Sequence, residues 1–206
     1  ARELVVLGAT PTLQAAGDEL QRGLHGLLGV APTLTQAATR DGAIVLGTAQ
    51  TPQIAALGLA TQALGREGYL IRSTRVDGHQ ATVIVGGSDV GVLYGAFHLL
   101  RLVQTGQSLS ALNLRQTPRL QLRLLNHWDN LDGVVERGYA GASLWNWQTL
   151  PGYLDPRYTD YARANASLGI NGTVLNNVNA SAQSLAPEYL DKAAALADLF
   201  RPCLLY

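Results

Sequence analysis

Methionine is absent from this chain, cysteine occurs once and lysine once, and the 15 Lys and Arg residues are balanced by 15 Asp and Glu residues. Each scarcity closes a class. A lone cysteine, Cys203, excludes an internal disulfide and a cysteine metal cluster. A net charge of zero argues against nucleic acid as a partner, because binding it requires a basic surface that displaces phosphate counterions. No apolar run is long enough to span a bilayer, since Gly or polar residues break the longest candidates. No Gly-x-Ser-x-Gly elbow is present. His25, His79 and His98 stand apart, without metal-ligand spacing. Without methionine the chain does not begin at its start codon; a removed signal peptide is one explanation and trimming the other. Asn-x-Ser/Thr triplets begin at Asn165, Asn171 and Asn179, which in an Asn-rich chain reads as chance before glycosylation.

What is present divides into two rhythms. "ELVVLG" (Glu3–Gly8) is a short apolar run closed by glycine, a buried strand. Thr10-Pro11 opens a helix with Leu13, Leu20, Leu24 and Leu27 along it. "GAIVLGT" (Gly42–Thr48) is a second buried strand, and Thr51-Pro52 starts a short helix. "GYLIRSTRVDGHQATVIVGG" (Gly68–Gly87) predicts two strands around Asp77-Gly78, a pair suited to a type I′ turn. "SDVGVLYGAFHLLRLVQ" (Ser88–Gln104) predicts a helix capped by Ser88 or Asp89, with Tyr94 and His98 packing from it. "GGSDVG" superficially suggests phosphate binding at a helix N-terminus but lacks a P-loop lysine, so a capped turn is preferred. Residues 1–105 therefore form a small α/β sandwich, and 106–118 read as a linker.

From 119 to 206 the order becomes strand ("RLQLRLLNHW"), helix ("DPRYTDYARANASLG"), strand ("INGTVLNNV"), helix ("APEYLDKAAALADLF") and, in "RPCLLY", the opening of a third strand. That alternation indicates parallel β/α units. A (β/α)8 TIM barrel needs about 250 residues, so only its first units are expected here. A small open sheet is the alternative.

The chemistry concentrates in "LLNHWDNLDGVVERGYAG" (Leu124–Gly141). It follows an apolar strand, and in a parallel barrel the carboxyl ends of strands build the active site. Asn126, His127, Trp128, Asp129 and Asn130 would lie at that face, joined by "LNNVNA" from the next strand end. Amides and carboxylates suit sugar hydroxyls, and Trp145 and Trp147 in "SLWNW" offer aromatic platforms. The bland readings are turn-forming Asn and Asp, buried core tryptophans, and a Glu136–Arg137 surface ion pair worth at most about 1 kcal/mol.

The stretch "LLNHWDNLDGVVERGYAGASLWNW" resembles the start of the catalytic barrel in glycoside hydrolase family 67, the α-glucuronidases. "GINGTVLNNVNA" resembles the family's second barrel strand, and "YLDKAAALADLFRP" the helix after it. "GVLYGAFHLLRLVQTG" is similar to the end of the small domain preceding the barrel there and in β-hexosaminidases. Ala142 departs from the larger or polar residue of many members. The resemblance implies an inverting hydrolase that removes (4-O-methyl)glucuronic acid α-1,2-linked to the xylose of xylooligosaccharides. It implies no cofactor and no metal. Its catalytic carboxylates come from later strands, downstream of Tyr206, so Asp129, Asp132 and Glu136 are not given those roles. Trp145 is the first candidate for a wall to the uronic acid, followed by His127, Asp129, Asn130, Asn177 and Trp147 as sugar-binding or bracing groups. The expected partners are a glucuronoxylan-derived oligosaccharide and either the rest of the barrel or a second copy in the full-length enzyme. A periplasmic or extracellular location is expected, with a cytoplasmic one as the alternative. The other function class is a non-catalytic carbohydrate-binding or structural fragment.

Overall fold

The computed structural model describes residues 2–203, arranged as two compact units, Ala1–Arg119 and Leu120–Tyr206. Among the described residues, no helix is long and apolar enough to cross a membrane.

In the first unit, β1 (Glu3–Val6), β2 (Thr33–Thr35), β3 (Ala43–Thr48), β4 (Tyr69–Val76), β5 (His79–Gly86) and β6 (Asn113–Gln116) form one sheet in the order β2-β1-β3-β5-β4-β6. The first four in that order are parallel, and β4 is antiparallel to both its neighbours. Helix α1 (Pro11–Leu28) starts as expected, with Pro11 in the first turn and the Thr10 hydroxyl accepting from the Leu13 N–H. It ends at Gly29 in a left-handed conformation. The β4–β5 turn has positive φ at both Asp77 (52°) and Gly78 (86°), as a type I′ turn requires.

Alternation along β1 and β3 sends side chains to two apolar layers. Val5, Ala43, Val45, Val83 and Val85 face one layer with Ile54 and Leu64. α1 and α3 (Asp89–Gln104) cover the other, with Gly17 of α1 close against Val6 and Gly95 of α3 close against Ile84. The short α2 (Pro52–Ala55) contributes Ile54 to the first layer, opposite those helices.

Two expectations are corrected here, and one strand was not foreseen. Residues 113–116 of the expected linker are β6, paired to β4 from Tyr69↔Gln116 to Arg72↔Asn113; backbone bonds to an open sheet edge make this strand with little apolar patterning. β2 went unread because its "TLT" is mostly exposed. Ser88 precedes α3 but makes no side-chain cap; its hydroxyl donates to the Arg66 carbonyl at 2.6 Å. The glycines of "GGSDVG" serve close packing. A Cβ on Gly87 would lie 1.7 Å from the Gly65 carbonyl oxygen, and the Gly87 N–H donates to Gly68 at 2.9 Å.

The second unit holds β7 (Leu124–Asn126), α4 (Pro156–Ser167), β8 (Gly172–Val174), a 3-10 turn (Ala182–Leu185) and α5 (Pro187–Phe200). β7 and β8 are parallel, in register Leu124↔Gly172 to Asn126↔Val174. These are the expected β/α units, with strands shorter than their apolar runs. Arg201–Cys203 form a turn, and the remainder of the expected third strand lies outside the described residues. Asn171 is fully buried below β8, its amide bridging the Arg123 N–H (2.9 Å) and the Gln121 carbonyl (2.8 Å). Asn165 is also buried. Two of the three glycosylation triplets thus carry structural asparagines.

Candidate functional site

The site is built from two strand ends and the long segment 127–155 that follows β7. His127 continues β7, its N–H donating to the Val174 carbonyl at 3.0 Å. Asn177 follows β8, and its N–H donates to the Asp129 carbonyl at 2.9 Å. Backbone therefore fixes His127, Asp129 and Asn177 beside one another.

Asp129 is nearly fully buried. Its Oδ2 accepts from the Ser143 hydroxyl (2.5 Å) and the Leu144 N–H (3.1 Å), and Ser143 Oγ in turn accepts from the Trp145 N–H (3.0 Å). Its Oδ1 lies 3.5 Å from His127 Nδ1. A carboxylate accepting several N–H and O–H donors is a brace, and here it ties the "SLW" segment to the strand end.

On its other side His127 Nε2 is 2.8 Å from the Tyr161 hydroxyl. That hydroxyl in turn donates to Thr173 Oγ1 at 2.8 Å. The Tyr161 hydroxyl is held above its ordinary pKa, chiefly by burial, with hydrogen bonds to Thr173 and Asn165 acting the other way. The chain Asp129–His127–Tyr161–Thr173 joins both strand ends to α4.

Asn130 lies on the rim of the same loop. Its N–H donates to the Val134 carbonyl at 2.9 Å and its amide to the Glu136 carbonyl. Glu136 has φ +56°, a left-handed conformation uncommon for such a side chain. Its carboxylate faces the Asn177 amide at 3.5 Å; among the described residues it makes no ion pair with Arg137.

Trp145 and Trp147, read as platforms, are 1% and 2% exposed. Trp145 is the hub of an aromatic cluster with His127, Tyr158, Tyr161 and Phe200, its centroid 5.2 Å from those of His127 and Tyr161. Trp147 meets Tyr189 of α5 at 6.0 Å. The indole N–H groups of both are buried without an acceptor. The indole that does face solvent is that of Trp128, 44% exposed; Tyr139, in the same loop, is 76% exposed. Sequence reasoning noted Trp128 in the cluster but did not select it; its signal was its place between two anchored neighbours, His127 and Asp129. Asn176 brings a buried, unpartnered Oδ1 to the same strand end. Among the described residues, no three His, Cys, Asp or Glu side chains gather closely enough to hold a metal ion.

Residues 1–99 match the glycosyl hydrolase family 67 N-terminus, and residues 102–205 match the glycosyl hydrolase family 67 middle domain. The chain is 39% identical over 204 residues to the probable alpha-glucuronidase A of Neosartorya fischeri, and 36% identical over 203 residues to that of Aspergillus fumigatus. Each match takes in 97% of this chain and 24% of the relative, so the chain spans about a quarter of the length of those proteins. Among solved structures, a family GH115 4-O-methyl-alpha-glucuronidase with specificity for decorated arabinogalactans superposes with TM-score 0.65. At 17% identity over 97% of this chain and 27% of that one, the likeness is one of fold.

Proposed function

This chain belongs to glycosyl hydrolase family 67, and from that premise we propose that it supplies one wall of the substrate pocket of an α-glucuronidase. The reaction proposed is inverting hydrolysis that releases (4-O-methyl)glucuronic acid from the xylose of a xylooligosaccharide. Inversion calls for a general acid and a general base on opposite faces of the sugar. Neither is assigned to Asp129, Asp132 or Glu136. The observation that carries this reading is the commitment of Asp129: it is nearly buried, its Oδ2 accepts from Ser143 and Leu144, and its Oδ1 is turned to His127. It is a positioning residue. The acid and base are proposed to come from other segments of the full-length protein.

Within the wall, Asn130 and Asn177 are proposed to bind sugar hydroxyls, and His127, whose two ring nitrogens meet Asp129 and Tyr161, is proposed to brace them. Asp129 and the rings of Trp145 and Trp147 hold them in place from beneath, and Trp128 presents the exposed ring face. A periplasmic or extracellular setting, and a homodimer of the full-length enzyme, belong to the same proposal. Exposed Trp128 and Tyr139 favour one second reading, a surface that binds carbohydrate without cleaving it.

The test is release of glucuronic acid from aldotetraouronic acid, by the 206-residue chain and by a full-length protein containing it. Release by the longer protein only is expected, with kcat/KM lowered about tenfold in Asn130→Ala, as for loss of one hydrogen bond to a bound sugar. Release by the short chain would place the acid and base within it and overturn the assignment. Binding without release by the longer protein would favour the second reading.

A further inference from the structure

The first unit contains a cleft that the reading of the second unit does not use. It measures about 380 Å³ and is lined by Val6, Leu7 and Gly8 at the end of β1, Thr35 and Gln36 at the end of β2, and Thr51 and Gln53 after β3. That volume lies in the range of small-molecule sites, about 300–1,000 Å³.

Its position follows from topology. β2 and β3 flank β1 on opposite sides. The chain leaves β1 into α1, which packs on the Val6 side of the sheet. It leaves β3 into α2, whose Ile54 packs with Val5 and Val45 on the other side. Successive connections thus depart to opposite faces at the carboxyl ends of β1 and β3. This is a topological switch point, where the diverging loops leave a crevice and open α/β sheets bind ligands.

The lining chemistry selects the ligand. The hydrogen-bonding side chains are two threonines and two glutamines, with no Lys, Arg or His among them. The one carboxylate near the start of α1, Asp89, accepts from the Thr10 hydroxyl at 2.7 Å, which makes that helix end a poor host for an anion. Thr35 forms part of the wall, and its Oγ1 is itself buried, out of reach of a bound molecule. Gln36 and Gln53 are exposed, and among the described residues their amides make no hydrogen bond, so both are available to a bound molecule. Thr51 Oγ1 is already engaged with Thr48, through the Thr48 N–H at 3.2 Å and its hydroxyl at 3.2 Å, and so is fixed in place.

We propose that this cleft is a second carbohydrate site that takes one or two neutral sugar rings, with Gln36 and Gln53 as its hydrogen-bonding groups. It catalyses nothing. The proposal stands apart from the reading of the second unit, and failure of either leaves the other intact.

The experiment is a nuclear magnetic resonance titration of the uniformly nitrogen-15-labelled full chain. The probes are D-glucose and xylobiose as neutral sugars and D-glucuronate and sulfate as anions. Saturable shifts at the Gly8, Gln36 and Gln53 amides with a neutral sugar are expected. Gln36→Ala and Gln53→Ala alter exposed side chains and preserve the fold; each should weaken binding by roughly tenfold or less, and both together by more. Three results would overturn the proposal: no saturable shift with either neutral sugar, shifts indifferent to the glutamine variants, or tighter binding of glucuronate or sulfate at the same amides.

Discussion

The two units hold their shape by different means. In the first, a six-stranded sheet is apolar on both sides, and Leu4, Leu46, Val83, Ile84 and Val85 are all buried. In the second, two three-residue strands leave Leu124, Leu125 and Val174 each about 40% exposed, at 40%, 38% and 41%. Order there comes from side chains bonded to loop backbone: Asp129 to Leu144, Asn171 to Arg123, the Tyr158 hydroxyl to the Asn146 N–H. An apolar sheet tolerates loss of any one polar contact but not a backbone that cannot close. A polar scaffold fails at single atoms. All three tryptophans lie in the second unit, so indole emission reports on it alone.

Gly87→Ala is the sharpest way to break the first unit. The new methyl group would sit 1.7 Å from the Gly65 carbonyl, with backbone on both sides of the clash. The expected loss is about 4 kcal/mol or more. Urea unfolding followed by far-ultraviolet circular dichroism should lose its sheet transition while indole emission keeps its own. A single transition lost in both signals would show that the two units do not stand independently.

Trp145→Ala is the corresponding blow to the second unit. It empties the centre of a ring cluster and should cost about 3–4 kcal/mol. Emission of the remaining indoles should shift to the red, and circular dichroism of the first unit should stay. Trp128→Ala, by contrast, should leave stability within about 0.5 kcal/mol, as for an exposed side chain. Equal effects of the two would dissolve the distinction drawn between a supporting ring and a presenting one.

That distinction also marks how far the sequence could be read. α1 with its Thr10-Pro11 start, the Asp77-Gly78 turn and the alternation of strands with α4 and α5 were legible because their determinants are local. The strand-end placement of His127, Asp129 and Asn177 was legible too, since it follows from where β7 and β8 stop. The burial of Trp145 was not. It depends on Tyr158, Tyr161 and Phe200, which come from two later helices and carry no mark of that meeting in the chain. β6 was unreadable for a related reason, because it takes its structure from the open edge of β4.

Asp129→Ala should fall between the two tryptophan changes, at about 2–3 kcal/mol. It leaves the Ser143 hydroxyl and the Leu144 N–H, both part-buried, without that acceptor. Its mark is loss of indole order with β1–β5 untouched, read as unequal shifts of the two unfolding midpoints. Equal shifts would mean that the Asp129 bonds do not carry the loop.

A last change sharpens the comparison from the other direction, because the first unit has a buried polar anchor of its own. Glu3, at the start of β1, is 1% exposed. Its carboxylate accepts from the Thr39 hydroxyl (2.5 Å), the Thr39 N–H (2.9 Å) and Arg40 Nε (2.9 Å). Those bonds, the Thr39 hydroxyl first, hold it down from 4.5 to about 2 against the opposing pull of burial. A carboxyl depressed in the folded state binds its proton more readily when unfolded. Its contribution is therefore complete above the unfolded value of 4.5 and is lost as pH falls towards about 2. Glu3→Gln removes the charge and keeps the shape. The variant should be less stable than the parent by a constant margin near neutrality, and the margin should close between pH 4.5 and 2 in circular-dichroism melts of the first unit. Asp129→Ala, read by indole emission, is the matched control for the second unit. If the Glu3 margin held constant to the bottom of that range, neutral hydrogen bonds would be holding the strand, and the first unit would rest on apolar packing throughout.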